Sequence, residues 1–196
     1  MLREYFNSRA DIWDENIAEK DTHKLTQMAE RLELKPDSVI LDVGTGTGIF
    51  LPYLLKNIGE KGKIVALDLA EEMLAKARAK YPGENIEFLQ ADIMEIPLYE
   101  EIFDSVVCYS SFPHFRDKHK ALTEMKRVMK PGGRVYICHT SSRDHINGIH
   151  ATLPGMENDL LPAPKDMRIL LADAGFTVVK IEEDSESYLA VGETPE

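Results

Sequence analysis

Short apolar runs alternate along this chain with stretches whose apolar positions recur every three or four residues. SVILDV (38–43), KIVALD (63–68), IEFLQ (86–90), FDSVVCY (103–109) and GRVYICH (133–139) are short and apolar, bounded by Gly, Pro or Asp. Such runs are predicted as buried strands of a parallel sheet. Between them, THKLTQMAERLE (22–33), IFLPYLLKNI (49–58), AEEMLAKARAKY (70–81) and HKALTEMKRVMK (119–130) carry the helical period. Pro131, Gly132 and Gly133 are predicted to stop the last of these helices. Strand and helix in alternation predict an α/β protein with a Rossmann-like, doubly wound sheet.

Beyond His139 the pattern loosens. Residues 140–164 are polar and carry Gly148, Pro154, Gly155, Pro162 and Pro164, which predicts an irregular excursion or lid. DMRILLADAGF (166–176) restores the helical period, with Gly175 at its C-terminal stop. TVVKIEE and SYLAVGE then predict an antiparallel hairpin at the sheet edge. No internal repeat is evident, and residues 1–196 are expected to form a single domain.

Composition narrows the function. A length of 196 residues and a hydrophobic content of 43% suit one domain with a substantial core. The formal net charge of −11 works against a nucleic-acid backbone and against anionic membranes. A small molecule is the expected partner, and the protein is expected to be a monomer or homodimer. No run approaches transmembrane length, the N-terminus lacks a signal-like apolar core, and two cysteines make no disulfide framework. A cytoplasmic protein with reduced thiols is the expectation.

LDVGTGTGIF is the most informative segment. Gly44, Gly46 and Gly48 follow the end of a strand and precede a helix, where glycine lets a ligand approach the backbone. The dinucleotide fingerprint requires a further glycine at position 49, which is Ile49, so a nicotinamide-dependent oxidoreductase is the weakest reading. A carboxylate, Asp42, stands two positions before the first glycine; it suits an amine and repels a pyrophosphate. Asp68 closes the second strand, where it can accept ribose hydroxyls or simply cap the next helix. Asp92 and Ile93 follow the third strand, facing an adenine edge or forming a plain Asx turn.

These pieces resemble the class I S-adenosylmethionine-dependent methyltransferases, particularly the ubiquinone/menaquinone-biosynthesis group. LDVGTGTG, VALDLAEEMLAKAR, FLQADIMEIP, FDSVVCYSSFPHF and MKRVMKPGGRVYI match in order, across about residues 36 to 140, with a weaker match through LLADAGFTVVKIEE. The resemblance implies a seven-stranded sheet of order 3-2-1-4-5-7-6 with strand 7 antiparallel. It implies S-adenosylmethionine as cofactor, bound at the carboxyl ends of strands 1, 2 and 3. Asp42, Gly44, Thr45, Gly46 and Gly48 would then surround its methionine part, with Asp68 on the ribose and Leu69, Asp92 and Ile93 at the adenine. Tyr109 and Ser110 would meet the methionine moiety and open toward the acceptor. Tyr5, Phe6, Arg9 and Trp13 resemble a segment, residues 1–21, that folds over the cofactor; simple helix packing accounts for them equally.

Methyl transfer requires an aligned nucleophile, excluded water and, for some acceptors, a general base. His114 and Tyr109 are the catalytic candidates, with a structural or binding role the alternative for His114. HTSSRDHINGIH (139–150) holds three of the six histidines and follows strand 5 at the mouth of the expected site. His114, His139, His145 and His150 are therefore the candidate substrate-side residues. His139, His145 and His150 are also weak metal candidates, although a five-residue separation of His145 and His150 departs from the helical zinc pair. Cys108 and Cys138 are either core residues or, if they face the pocket, partners for a soft metal or thiophilic substrate. The expected function is methyl transfer to a small-molecule acceptor. A metal-assisted version using the 139–150 loop and an inactive cofactor-binding module are the alternatives.

Overall fold

The apolar runs do pair side by side, and those buried on both faces lie at the centre of the sheet. In the computed structural model, which describes residues 2–196, the strands are β1 (Val39–Val43), β2 (Lys63–Asp68), β3 (Ile86–Gln90), β4 (Phe103–Tyr109), β5 (Met129–His139), β6 (Thr177–Glu183) and β7 (Tyr188–Glu193). They form one sheet of order β3-β2-β1-β4-β5-β7-β6. β1 to β5 pair in parallel, whereas β7 runs antiparallel to both β5 and β6. Met1, the first residue of the expected covering segment, lies outside the described residues.

Helices α1 (Leu2–Asn7), α2 (Trp13–Asn16), α3 (Thr22–Arg31), α4 (Leu51–Ile58), α5 (Glu71–Lys80), α6 (Lys118–Val128), α7 (Arg143–His150) and α8 (Pro164–Asp173) complete the chain. Alternate residues of the central strands point to opposite faces. Ile40, Ile64, Ala66 and Val107 pack under Leu25 and Met28 of α3 and Leu51 and Leu54 of α4. Leu41, Val106, Val135 and Ile137 pack under Leu122 and Met125 of α6 and Met167 and Leu171 of α8. Two apolar layers on one sheet are the doubly wound arrangement that continuous apolar strands require. β1 has β2 on one side and β4 on the other, so the strand order reverses there, and a crevice opens at the carboxyl ends.

Two local expectations are corrected. α6 ends at Val128, and β5 begins at Met129 and runs through Pro131-Gly132-Gly133. Those residues are held in the sheet because Gly133 exchanges hydrogen bonds with Thr194, its N–H donating to the hydroxyl at 2.9 Å and its carbonyl accepting the Thr194 N–H at 2.9 Å. The 140–164 excursion is not wholly irregular either. It contains α7, whose N-terminus is capped by the Ser142 hydroxyl accepting the His145 N–H at 3.2 Å. Among the described residues, no helix is long and apolar enough to cross a membrane.

Candidate active site

The glycine loop after β1 folds back onto the end of β2. Gly44 and Thr45 N–H both donate to the Leu67 carbonyl, at 2.8 and 3.0 Å, and Gly48 N–H donates to the Thr45 carbonyl at 2.9 Å. Gly46 N–H donates to Asp68 Oδ2 at 2.8 Å. Donors that would cradle a pyrophosphate are thus already partnered, and the loop is built for a different ligand. Gly44 has φ 70°, and a Cβ there would fall 2.4 Å from Ser111 Cβ. Ser111 cannot yield, because its hydroxyl is buried and donates to the Val43 carbonyl at 2.7 Å. Gly44→Ala is expected to cost roughly 2–4 kcal/mol of stability, read by chemical denaturation, and to weaken cofactor binding with it.

Asp68 also accepts the Ala70 N–H, at 2.8 Å, so its two oxygens tie the glycine loop to the start of α5. Ala70, not Asp68, occupies the capping position of that helix. Burial pushes the Asp68 carboxyl up from its ordinary range. Asp42 is fully enclosed; burial and the neighbouring Asp68 charge push it up to about 7, against the Thr45 hydroxyl. Asp92 accepts the Met94 N–H at 2.9 Å, which makes the Asx turn, while still facing the crevice.

A cavity opens between these strand ends. Gly44, Thr45, Gly46, Asp68, Leu69, Asp92, Ile93, Tyr109, Ser110 and His114 all line it. Asp42 and Gly48 stand behind that lining rather than in it, and Tyr5 lines a neighbouring cavity. Leu2, Phe6, Trp13 and Ile17 of the N-terminal segment close it from above. Their seat is specific: Phe6 stands edge-on to Trp13 (5.4 Å between centroids) and to His114 (5.3 Å). Arg3 forks onto Glu71 at 2.7 and 2.6 Å, Asp11 pairs with Lys76 at 2.5 Å, and Asp14 pairs with Lys80. An apolar slot with an enclosed carboxylate at the end of β2 fits a nucleoside-bearing sulfonium cofactor. Asp68 would hold the ribose, with Leu69 and Ile93 beside the base.

The neighbouring cavity, about 490 Å³, shares Phe6, Trp13, Ile17, Ser110 and His114 with the first. His114, His139, His145 and His150 all line it, together with Ile146, Ile149, Leu153 and Met156. Asp159 organises two of these rings. Its carboxylate lies 2.8 Å from His114 Nδ1, and its carbonyl accepts from His150 Nδ1 at 2.5 Å. Burial lowers the His150 pKa. Glu19 organises a third ring, its Oε2 lying 3.0 Å from His139 Nδ1. Ser110 donates to the same carboxylate oxygen, and Thr140 lies 3.5 Å from the other.

Tyr109 is spent on structure. Its hydroxyl lies 3.0 Å from the Glu19 carbonyl and 2.8 Å from Thr140 Oγ1, and its ring stacks on Phe50 at 4.3 Å. Burial, followed by the Glu19 charge, drives its pKa well above the ordinary phenol range, so the group stays protonated. Among the described residues, no three His, Cys, Asp or Glu side chains are grouped to hold a metal ion. His139 faces Glu19, His150 faces Asp159 and His145 is exposed, so the metal candidates do not converge as a ligand set. Cys108 and Cys138 lie on opposite faces of the sheet and line neither cavity. Burial pushes the Cys108 thiol up to about 12, and both are inert core residues.

Glu19 and Asp159 were invisible in the sequence. Each sits in a polar segment, and its imidazole partner lies 120 and 45 residues away, respectively.

Comparison with known proteins identifies relatives of the chain. A family described as a methyltransferase domain matches residues 41–137. The demethylmenaquinone methyltransferase of Thermus thermophilus is 32% identical over 164 residues, covering 71% of this chain and 74% of that protein. The demethylmenaquinone methyltransferase of Lactococcus lactis is 35% identical over 161 residues, covering 78% of this chain and 60% of that one. Among solved structures, an S-adenosylmethionine-dependent methyltransferase from Aquifex aeolicus superposes with a TM-score of 0.73 at 29% identity, covering 89% of this chain and 94% of that chain. The chain spans about half the length of the first curated relatives it matches, between 44% and 60%.

Proposed function

The chain belongs to the class I S-adenosylmethionine-dependent methyltransferases, and on that premise we propose that it transfers a methyl group to a quinone-like small molecule in its reduced form. The observation that carries this reading is the meeting of two cavities at Ser110 and His114, one lined for a nucleoside and one lined by apolar side chains and imidazoles. The acceptor class is taken from the relatives' names, demethylmenaquinone methyltransferases.

S-adenosylmethionine, when bound, supplies an electrophilic sulfonium methyl that needs no further activation. The protein's task is alignment and exclusion of water. Residues 1–21 serve as the covering segment, with Phe6 and Trp13 sealing the cofactor side. Residues 140–164 serve as the acceptor-side lid, with Ile146, Ile149, Leu153 and Met156 gripping an apolar ring. His114 stands at the junction, where the Asp159 carboxylate fixes its ring for contact with the acceptor. A reduced ring is required because an oxidised quinone carbon is electron-poor, whereas a hydroquinone donates electrons to the incoming methyl. Cys108 and Cys138, both free thiols, suit a reducing compartment, and we assign the reaction to the cytoplasm.

The test is calorimetry with S-adenosylmethionine and NADH, followed by turnover of chemically reduced demethylmenaquinone with labelled cofactor. Binding of S-adenosylmethionine alone and label in the organic product are the expected results. Absence of S-adenosylmethionine binding overturns the cofactor assignment, and binding without transfer to any hydroquinone overturns the acceptor class.

A further inference from the structure

We propose that His139 is the proton acceptor of the transfer step and that Glu19 is its positioning residue. The starting observation is an unpartnered atom: His139 Nε2 is buried and has no hydrogen-bond partner, in a residue that lines the acceptor cavity. A buried polar atom without a partner is uncommon and calls for a ligand group. The other ring nitrogen explains the orientation. A carboxylate 3.0 Å from Nδ1 accepts only, so Nδ1 carries the proton and, in the neutral ring, Nε2 holds the lone pair. Carboxylate, imidazole and an unpartnered Nε2 are the arrangement by which a general base is held in one tautomer and its imidazolium stabilised.

His139 is preferred over His114 on burial. The Glu19–His139 pair has side chains 5% and 1% exposed, against 24% and 13% for Asp159–His114. A carboxylate so enclosed acts strongly on its neighbour because little water screens it. Burial opposes ionisation of Glu19, yet the His139 charge and hydrogen bonds from His139 and Ser110 hold its pKa below the ordinary range.

The step balances as follows. An acceptor hydroxyl gives its proton to Nε2, its ring carbon forms the bond to the methyl group, and the sulfur–methyl bond breaks to leave the thioether of S-adenosylhomocysteine. The ring-carbon proton is then lost to solvent as aromaticity returns, and the imidazolium gives its proton back to the acceptor oxygen, so that one proton leaves overall. Glu19 neutralises the imidazolium in between. Glu19 belongs to the covering segment, so the residues that close over the cofactor also carry the carboxylate that orients the base.

This inference rests on the transferase reading, so the experiment separates the two. In the cofactor-free protein, nitrogen-15 NMR of the imidazoles is expected to show His139 protonated on Nδ1 and bare on Nε2 at alkaline pH. With Glu19→Gln, Nδ1 faces an amide in place of a carboxylate, and the proton is expected to redistribute between the two ring nitrogens. The groups that also face this ring are Tyr188 on β7, Ser110 just after β4, and His114, His145 and His150 across the cavity; they are unchanged in the variant. In turnover of reduced demethylmenaquinone, His139→Gln is expected to lower kcat at least ~100-fold. Glu19→Gln is expected to lower it about tenfold, in step with the loss of the Nδ1 tautomer. A proton on Nε2 of the neutral ring in the wild-type protein, or a tautomer and a kcat that Glu19→Gln leaves unchanged, overturns the proposal. Wild-type protein that shows the Nδ1 tautomer but no turnover overturns the acceptor class instead.

Discussion

Asp68→Ala is expected to weaken S-adenosylmethionine binding at least ~100-fold, about 2.7 kcal/mol, in a calorimetric titration. Two separate losses add. The carboxylate accepts the Gly46 and Ala70 N–H groups at 2.8 Å each, and its removal leaves both donors unpaired in a buried site. Each such group costs roughly 1–3 kcal/mol. Charge-assisted bonds to the ribose hydroxyls are lost as well, and these are about twice as strong as neutral ones. Asp68→Asn separates the contributions. Its amide oxygen can accept only one of the two N–H groups, and its NH2 is turned against the other. The asparagine variant is therefore expected to melt below the wild type as well as to bind less. Unchanged affinity in both variants would remove Asp68 from the cofactor site.

That aspartate was readable because a buried strand ended on it, in a chain segment whose period is unambiguous. KIVALD runs to its last residue as β2, and the neighbouring strands form within the expected limits because β-branched runs buried on both faces have no competing arrangement. Where tertiary contacts outweigh local preference, the sequence misleads. The helix does end ahead of Pro131-Gly132-Gly133, but Thr194, 61 residues away, fastens Gly133 into the sheet, and β5 begins earlier than its apolar run. α7 is a helix despite Gly148, held by its Ser142 cap and by the packing of Ile146. The four histidines could be assigned to one side of the fold from the strand order that the resemblance implies, and they do share a cavity. What orients them could not be read, since Glu19 and Asp159 have no periodic or motif signature. Their meaning lies only in a distance to an imidazole.

Asp42→Asn is expected to stabilise the cofactor-free protein at neutral and alkaline pH by up to about 4 kcal/mol. The sign follows from direction. Burial first, and then the Asp68 charge, raise the folded-state pKa from 3.8 to about 7. Between those values the folded protein keeps a proton that the unfolded chain has released. This group's contribution is therefore fully present below about pH 4 and is lost as pH rises through 7, at about 1.4 kcal/mol per unit of difference. Asparagine cannot ionise, so the stability gap measured by urea denaturation should open between pH 4 and 7 and then stay level. A gap that is constant from pH 4 to 8 would show that Asp42 is ionised throughout. The same protonation links the residue to its cofactor. Asp42 immediately precedes Val43 and Gly44, which line the cavity, and a cationic ligand arriving there favours the ionised carboxyl. Binding of S-adenosylmethionine near pH 6 should then release a proton, visible as a dependence of the calorimetric enthalpy on buffer ionisation. Asp42→Asn should abolish that dependence, because the residue that holds the proton in the empty site is gone.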